Sequence, residues 1–178
     1  MSLEFAILGF LNQQPLSGYD LKKNFDLSVS HFWPATQSQI YRSLNTILEA
    51  GWASVDVVDQ DGKPNRKVYS ITPAGQVALA AWLRAPQPPP DLRFAPLIQV
   101  FFGAGLTDDE LLVLLAHWEQ AAAVRLQRME ALDAARPQDD TREARLQGLT
   151  LDYGRRLAQA GRDWAREARA VLLEEGKK

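Results

Sequence analysis

A proline-dense stretch, Ala85-Pro86-Gln87-Pro88-Pro89-Pro90, divides the 178-residue chain into two parts that cannot share a continuous helix. Proline removes a backbone donor and clashes with the preceding turn, so such a run reads as a stiff connector. Upstream lie short segments separated by turn signals, and downstream lie two long helical patterns. The expected organisation is therefore a small domain over 1–85, a proline-rich and apolar connector over 86–106, and a helical domain over 107–178.

The upstream part gives an ordered series of short elements. Leu3 to Asn12 reads as a helix ended by Gln13-Gln14-Pro15. Ser17 can cap a second helix with Leu21 and Phe25 facing a core and Lys22 and Lys23 facing solvent. Thr36-x-x-Gln39 has the form of a capping box, and the helix it opens runs to about Ala50, with Gly51 as its stop. In that helix Ile40, Leu44, Ile47 and Leu48 share one face, while Ser38, Arg42, Asn45 and Glu49 lie roughly opposite. Ala53, Val55 and Val57 then alternate with Ser54, Asp56 and Val58. After a polar tip at 59–65, Lys67, Tyr69 and Ile71 alternate with Val68 and Ser70, which predicts a two-stranded hairpin. Thr72-Pro73 opens a further helix.

Three helices, a hairpin and a fourth helix are the order of a winged helix-turn-helix. The third helix pairs an apolar face with amide and hydroxyl side chains and an arginine, a combination suited to reading base edges in a major groove. Lys63, Arg66 and Lys67 at the hairpin suit phosphates or an adjacent minor groove. The net charge of −2 does not oppose this, because phosphate contacts depend on where cations cluster. Five of the seven Lys and Arg residues within 1–85 fall at 22–23 and 63–67, although seven acids balance them.

At these positions the sequence resembles the PadR family of bacterial transcriptional regulators. The resemblance rests on Ser38-Gln39-Ile40-Tyr41-Arg42-x-Leu44-x-x-x-Leu48-x-x-x-Trp52 and on Arg66-Lys67-Val68-Tyr69-Ser70-Ile71-Thr72-Pro73-Ala74-Gly75. Ser17-Gly18-Tyr19-Asp20-Leu21 is similar to the opening of that family's second helix. Ala158-x-x-Gly161-x-x-Trp164 is similar to the closing helix of members with an extended C-terminal domain. The resemblance implies a homodimeric repressor that docks on adjacent major grooves of palindromic operator DNA and is released by a small aromatic or lipophilic effector. It also implies DNA contacts from Gln37, Ser38, Gln39, Tyr41 and Arg42, backbone contacts from Tyr19 and Lys22, and wing contacts from Lys63, Arg66 and Lys67. Family members usually carry proline or a small residue after the helix tyrosine, where this chain has Arg42, so the resemblance does not fix the operator sequence.

Downstream, Thr107 caps a helix whose Asp108-Asp109-Glu110 turn suits the positive end of the helix dipole. Leu111, Leu115, Trp118, Ala122, Leu126, Met129 and Leu132 recur at steps of three and four up to a break at Arg136-Pro137. From about Asp140 the same stepping runs through Leu146, Leu149, Tyr153, Leu157, Ala160, Trp164, Ala168 and Val171. These stripes predict an antiparallel helix pair. Two helices have few ways to bury both stripes, so Leu111, Leu115, Trp118, Leu149, Tyr153, Leu157 and Trp164 are expected at a dimer interface. The expected fold class is mainly α with a two-stranded β wing: an N-terminal winged helix-turn-helix plus a C-terminal antiparallel helical dimerisation domain.

The apolar run 94–103 must be covered. Either Phe101 or Phe102, with Trp118, lines an effector cavity between the two halves, or the run forms a packed junction without one. The chain has no cysteine and two histidines, so thiolate chemistry, histidine-rich metal sites and a histidine-based triad are not expected. There is no phosphate-binding glycine loop or catalytic motif, and neither an enzyme nor a cofactor is expected. The apolar run 3–11 is interrupted by Glu4 and far shorter than a membrane span, which points to a soluble cytoplasmic protein with no membrane partner. The alternative to a DNA-binding regulator is a winged-helix protein–protein interaction module without an operator.

Overall fold

The computed structural model describes residues 2–59, 65–89, 93–136 and 139–175. It divides into two compact units, Met1–Pro89 and Pro90–Lys178.

In the first unit, helices α1 (Ser2–Gln13), α2 (Gly18–Leu27), α3 (Gln37–Glu49) and α4 (Pro73–Arg84) surround a small sheet. A two-residue strand β1 (Leu16–Ser17) joins the hairpin strands β2 (Ala53–Val58) and β3 (Arg66–Ile71) in the antiparallel order β1-β3-β2. The sheet thus has three strands where the sequence pattern predicts two. Leu16 pairs with Tyr69 and Ser17 with Val68 across some fifty residues of chain, a pairing that local alternation does not reveal. The core is Phe5, Ile7, Leu8 and Leu11 of α1, Leu21 and Phe25 of α2, and Ile40, Leu44 and Ile47 of α3, closed by Tyr69 and Leu79. Phe5 stacks on Trp82 at 5.0 Å and lies 5.6 Å from Trp52, which fastens α4 to α1.

Gly51 ends α3 with φ at +71°, a left-handed conformation that glycine adopts without a Cβ penalty. Gly75 meets a different constraint. A Cβ there would lie 2.0 Å from the Trp52 carbonyl oxygen, so the first turn of α4 sits directly on the backbone leading into β2.

The second unit begins with a short helix α5 (Ala95–Phe101) inside the stretch read as connector, followed by α6 (Asp108–Ala135) and α7 (Arg142–Glu175). Thr107 and Glu110 form a reciprocal capping box at the start of α6, and its acidic first turn faces the dipole as expected. The helices pair antiparallel. Trp118 meets Trp164 edge-on at 5.0 Å, Glu119 binds Arg169 at 2.6 Å and Arg166 at 3.2 Å, and Asp133 lies 3.7 Å from Arg155 near the turn.

The α6 stripe of the sequence faces α7, with Leu115 and Met129 buried and Leu111, Trp118, Ala122, Leu126 and Leu132 half-buried. On α7, however, the residues buried against α6 are Ala144, Leu151, Ala158 and Ala165, each seven positions from the next. At about 100° per residue this seam lies on the opposite side of the helix from Leu146, Leu149, Tyr153 and Leu157. Those four are exposed. On the apolar run around α5, Ile98, Phe101 and Phe102 are likewise exposed.

Candidate nucleic-acid interface

The outward face of α3 is built by its cap and its core contacts. The Thr36 hydroxyl accepts from the Gln39 backbone N–H at 3.3 Å, and Gln39 Oε1 accepts from the Thr36 N–H at 2.8 Å. This reciprocal box starts the helix at Gln37. Ile40, Ser43, Leu44 and Ile47 are buried, and the Ser43 hydroxyl donates to Glu4 Oε1 of α1 at 2.9 Å, which fixes the helix rotation. Gln37, Ser38, Tyr41, Arg42, Asn45 and Thr46 are thereby left exposed on one surface. Gln39 is exposed too, but its side-chain oxygen is committed to the cap, and its amide NH2 is the end able to reach a base.

Tyr41 is held rather than free. Its ring lies over Gly18, where an added Cβ would come within 2.7 Å of the ring and 2.8 Å of the hydroxyl. The tyrosine therefore rests on the first residue of α2, with 40% of its surface exposed. Its rotamer is restricted before any ligand arrives, which lowers the entropy cost of a contact made through the hydroxyl. Tyr19, next along α2, is 70% exposed.

The cations are less free than the sequence suggests. Lys22 pairs with Asp26 one turn along α2, and Arg66 pairs with Asp20. Asp20 also completes a capping box with Ser17, accepting from the Ser17 hydroxyl at 2.7 Å and its N–H at 3.3 Å. These bonds hold the Asp20 carboxyl below the usual aspartate range, the Ser17 hydroxyl first and the Arg66 guanidinium in addition, so it is ionised at neutral pH. Lys23 and Lys67 are exposed. Lys63 lies outside the described residues.

The structure thus brings Gln37, Ser38, Tyr41 and Arg42 of α3, Tyr19 and Lys22 of α2, and Arg66 and Lys67 of β3 to the elements that meet around the start of α2. Two members of this constellation, Gly18 and Asp20, are missed by the functional reading of the sequence. Ser17-x-x-Asp20 carries the spacing of a capping box and could have identified Asp20, but its partnership with Arg66 depends on β1 pairing with β3.

In the second unit, a cleft of 420 Å3 is lined by Pro96, Gln99 and Val100 of α5 and by Leu114, Leu115, His117, Trp118 and Ala121 of α6. Phe94 stacks on Trp118 at 4.5 Å and shapes its aromatic wall. Trp118 lines this cleft, which lies within the second unit, whereas Phe101 and Phe102 are exposed and are not among its lining residues. Of the side chains expected at a dimer interface, Leu149, Tyr153 and Leu157 are exposed. Leu115 is buried inside the helix pair, and Leu111, Trp118 and Trp164 are half-buried.

A winged helix with an exposed polar third helix and a long helical hairpin is the architecture of a DNA-binding transcriptional regulator. The chain belongs to the PadR-like family of transcriptional regulators. The model of that family matches residues 7–81, and the model described as virulence activator alpha C-term matches residues 92–173. The probable transcriptional regulator Rv1176c of Mycobacterium tuberculosis is 33% identical, over 98% of this chain and 99% of that protein. The negative transcriptional regulator PadR of Bacillus subtilis is 31% identical, over 89% of this chain and 76% of that protein. Its structure in complex with operator DNA matches with a TM-score of 0.86 at 24% identity, covering 97% of this chain and 99% of that one. Its complex with p-coumaric acid matches at 0.81, with the same identity and coverage. The virulence activator AphA of Vibrio cholerae matches with a TM-score of 0.78 at 29% identity, over 97% and 99% of the two chains. The family consists of transcriptional regulators and not of enzymes. Among the described residues, no helix is long and apolar enough to cross a membrane.

Proposed function

We propose that this chain is a homodimeric repressor that binds a palindromic operator through α3 and the wing and leaves it when a small aromatic or lipophilic molecule binds. In this reading residues 1–85 bind DNA, 86–106 connect, and 107–178 form the dimer. The observation that carries it is the exposed polar surface of α3, rotated outward by the Ser43–Glu4 bond and flanked by Tyr19 and by the wing root. Gln37, Ser38, Gln39, Tyr41 and Arg42 enter the major groove. Tyr19, Lys22, Lys63, Arg66 and Lys67 meet the phosphate backbone.

The exposed Leu149, Tyr153 and Leu157 of α7 are the centre of the interface between copies, and two-fold symmetry matches two half-sites. The effector site is the cleft beside Trp118, whose aromatic wall suits a flat ring and whose Gln99 and His117 offer polar partners. B. subtilis PadR, solved with operator DNA and with p-coumaric acid, supports both halves of this reading by kinship.

The test is a gel shift on DNA from the protein's own upstream region across a salt series. A discrete complex at nanomolar protein, weakening steeply with salt, is expected. No shift at micromolar protein, repeated with a selected random library, would replace the repressor by an interaction module. Tyr41→Ala is expected to weaken operator binding by about tenfold or more, or ~1.4 kcal/mol, with the dimer intact in sedimentation. Unchanged affinity would mean that Tyr41 only packs on Gly18. Titration calorimetry with a panel of phenolic acids should show binding that Trp118→Ala removes, and absence of heat for every compound would rule out the cleft.

A further inference from the structure

Arg66 opens β3 at the root of the wing, and its guanidinium is already engaged. Nη2 donates to Asp20 Oδ2, the same oxygen that accepts from the hydroxyl and the N–H of Ser17. The pairing of Ser17 with Val68 brings this carboxylate of α2 to the wing. A fixed negative charge therefore stands on the helix that also carries Lys22 and Lys23, and reaches the strand that carries Arg66 and Lys67. Among groups that face phosphates it opposes binding. Capping does not require it, because a neutral glutamine can close a capping box from the same position.

We propose that Asp20 is a specificity-determining positioning residue, holding the Arg66 guanidinium in one orientation beside α2 so that it meets a phosphate only when α3 is seated in its groove. This rests on the DNA-binding reading. An unrestrained arginine at a wing root samples many rotamers and can follow the phosphate backbone at any register. Bound through one Nη, the planar guanidinium keeps its remaining N–H groups in a fixed fork. The carboxylate also offsets one positive charge, which weakens attraction to DNA of any sequence. Together the two effects lower binding to random DNA more than binding to the operator.

The experiment measures fluorescence anisotropy of the full-length protein on an operator duplex and on a random duplex of equal length. Wild type, Asp20→Asn, Arg66→Gln and the double variant are compared, with thermal unfolding of each as the check on folding. Asp20→Asn should tighten random-DNA binding by about three- to fivefold, on the scale of an exposed ion pair, and tighten operator binding by less, so that the operator-to-random ratio falls. Arg66→Gln should lower the same ratio by weakening the operator complex. In the Arg66→Gln background, Asp20→Asn should leave the ratio unchanged. Equal shifts on both duplexes would overturn the proposal, as would a fall in the ratio that persists without Arg66. Should Asp20→Asn prove unstable, Arg66→Gln alone still decides, because an equal loss on both duplexes denies Arg66 any register dependence. A wild type that binds both duplexes alike would instead remove the operator reading on which the proposal rests, and one that binds neither would remove DNA binding itself.

Discussion

Replacing Gly75 with alanine is expected to destabilise residues 1–89 by about 3 kcal/mol or more, at the upper end of overpacking substitutions. The new methyl carbon would lie 2.0 Å from the Trp52 carbonyl oxygen and 2.9 Å from Ile71 Cγ1. A flexible side chain could swing away from such a contact, but this one is with backbone fixed on both sides. The Trp52 carbonyl accepts from the Thr72 N–H at 3.0 Å, and the Trp52 N–H donates to the Ile47 carbonyl at 2.9 Å. The Thr72 hydroxyl donates to the Gly51 carbonyl at 2.7 Å, so the cap of α4 is tied to the same turn. Relief of the clash requires α4 to lift, which disturbs the stacking of Trp82 on Phe5. For a domain of this size each 1 kcal/mol lowers Tm by about 4–8 °C, so a fall of at least ~12 °C is expected. A calorimetric Tm within a few degrees of wild type would show that the backbone at Trp52 yields.

The second large effect is expected on assembly. Leu149→Asp combined with Leu157→Asp should leave each chain folded and dissociate the proposed dimer, weakening self-association by about three orders of magnitude, or ~4 kcal/mol. Leu149 and Leu157 are 65% and 52% exposed in the single chain and lie away from the Ala144–Leu151–Ala158–Ala165 seam. The helix pair should therefore persist. In a two-fold interface each substitution occurs twice, so four carboxylates would have to lose water without partners. Sedimentation velocity at micromolar protein should show a monomer, and circular dichroism an unchanged helix content. Operator affinity should fall with the dimer, because two half-sites are no longer read by one particle. A persistent dimer would place the interface elsewhere, with α5 and its exposed Ile98, Phe101 and Phe102 the next surface to test.

How much of this was legible in the sequence depended on range. Caps and turns are local, so Thr36-x-x-Gln39, Thr107-x-x-Glu110 and the stop at Gly51 mark helix ends from a few residues each. The hairpin announced itself through alternation. β1 did not, because two residues carry no period and their partner is remote in sequence. For the same reason the candidate DNA surface was legible as a set of exposed polar residues on α3 but not as a supported one. The tyrosine seat on Gly18 and the Asp20–Arg66 pair exist only after the chain folds back on itself. On α7 the periodicity was real, but Leu146, Leu149, Tyr153 and Leu157 marked the outer face, with Trp164 alone of its large rings turned to Trp118 of α6. Large side chains dominate a hydrophobic stripe, whereas alanines three times out of four make the seam against α6.

That division of α7 into two faces has an evolutionary consequence. A seam of small residues keeps the hairpin folded, while the opposite side of the same 34-residue helix remains available for contact between copies. Substitutions on the outer face can alter which chains recognise one another, how tightly and in what register, without disturbing the fold that presents them. Paralogous regulators in one cell could in this way diverge into mutually exclusive pairs by changing a few positions on the outer face, with the inner seam left intact.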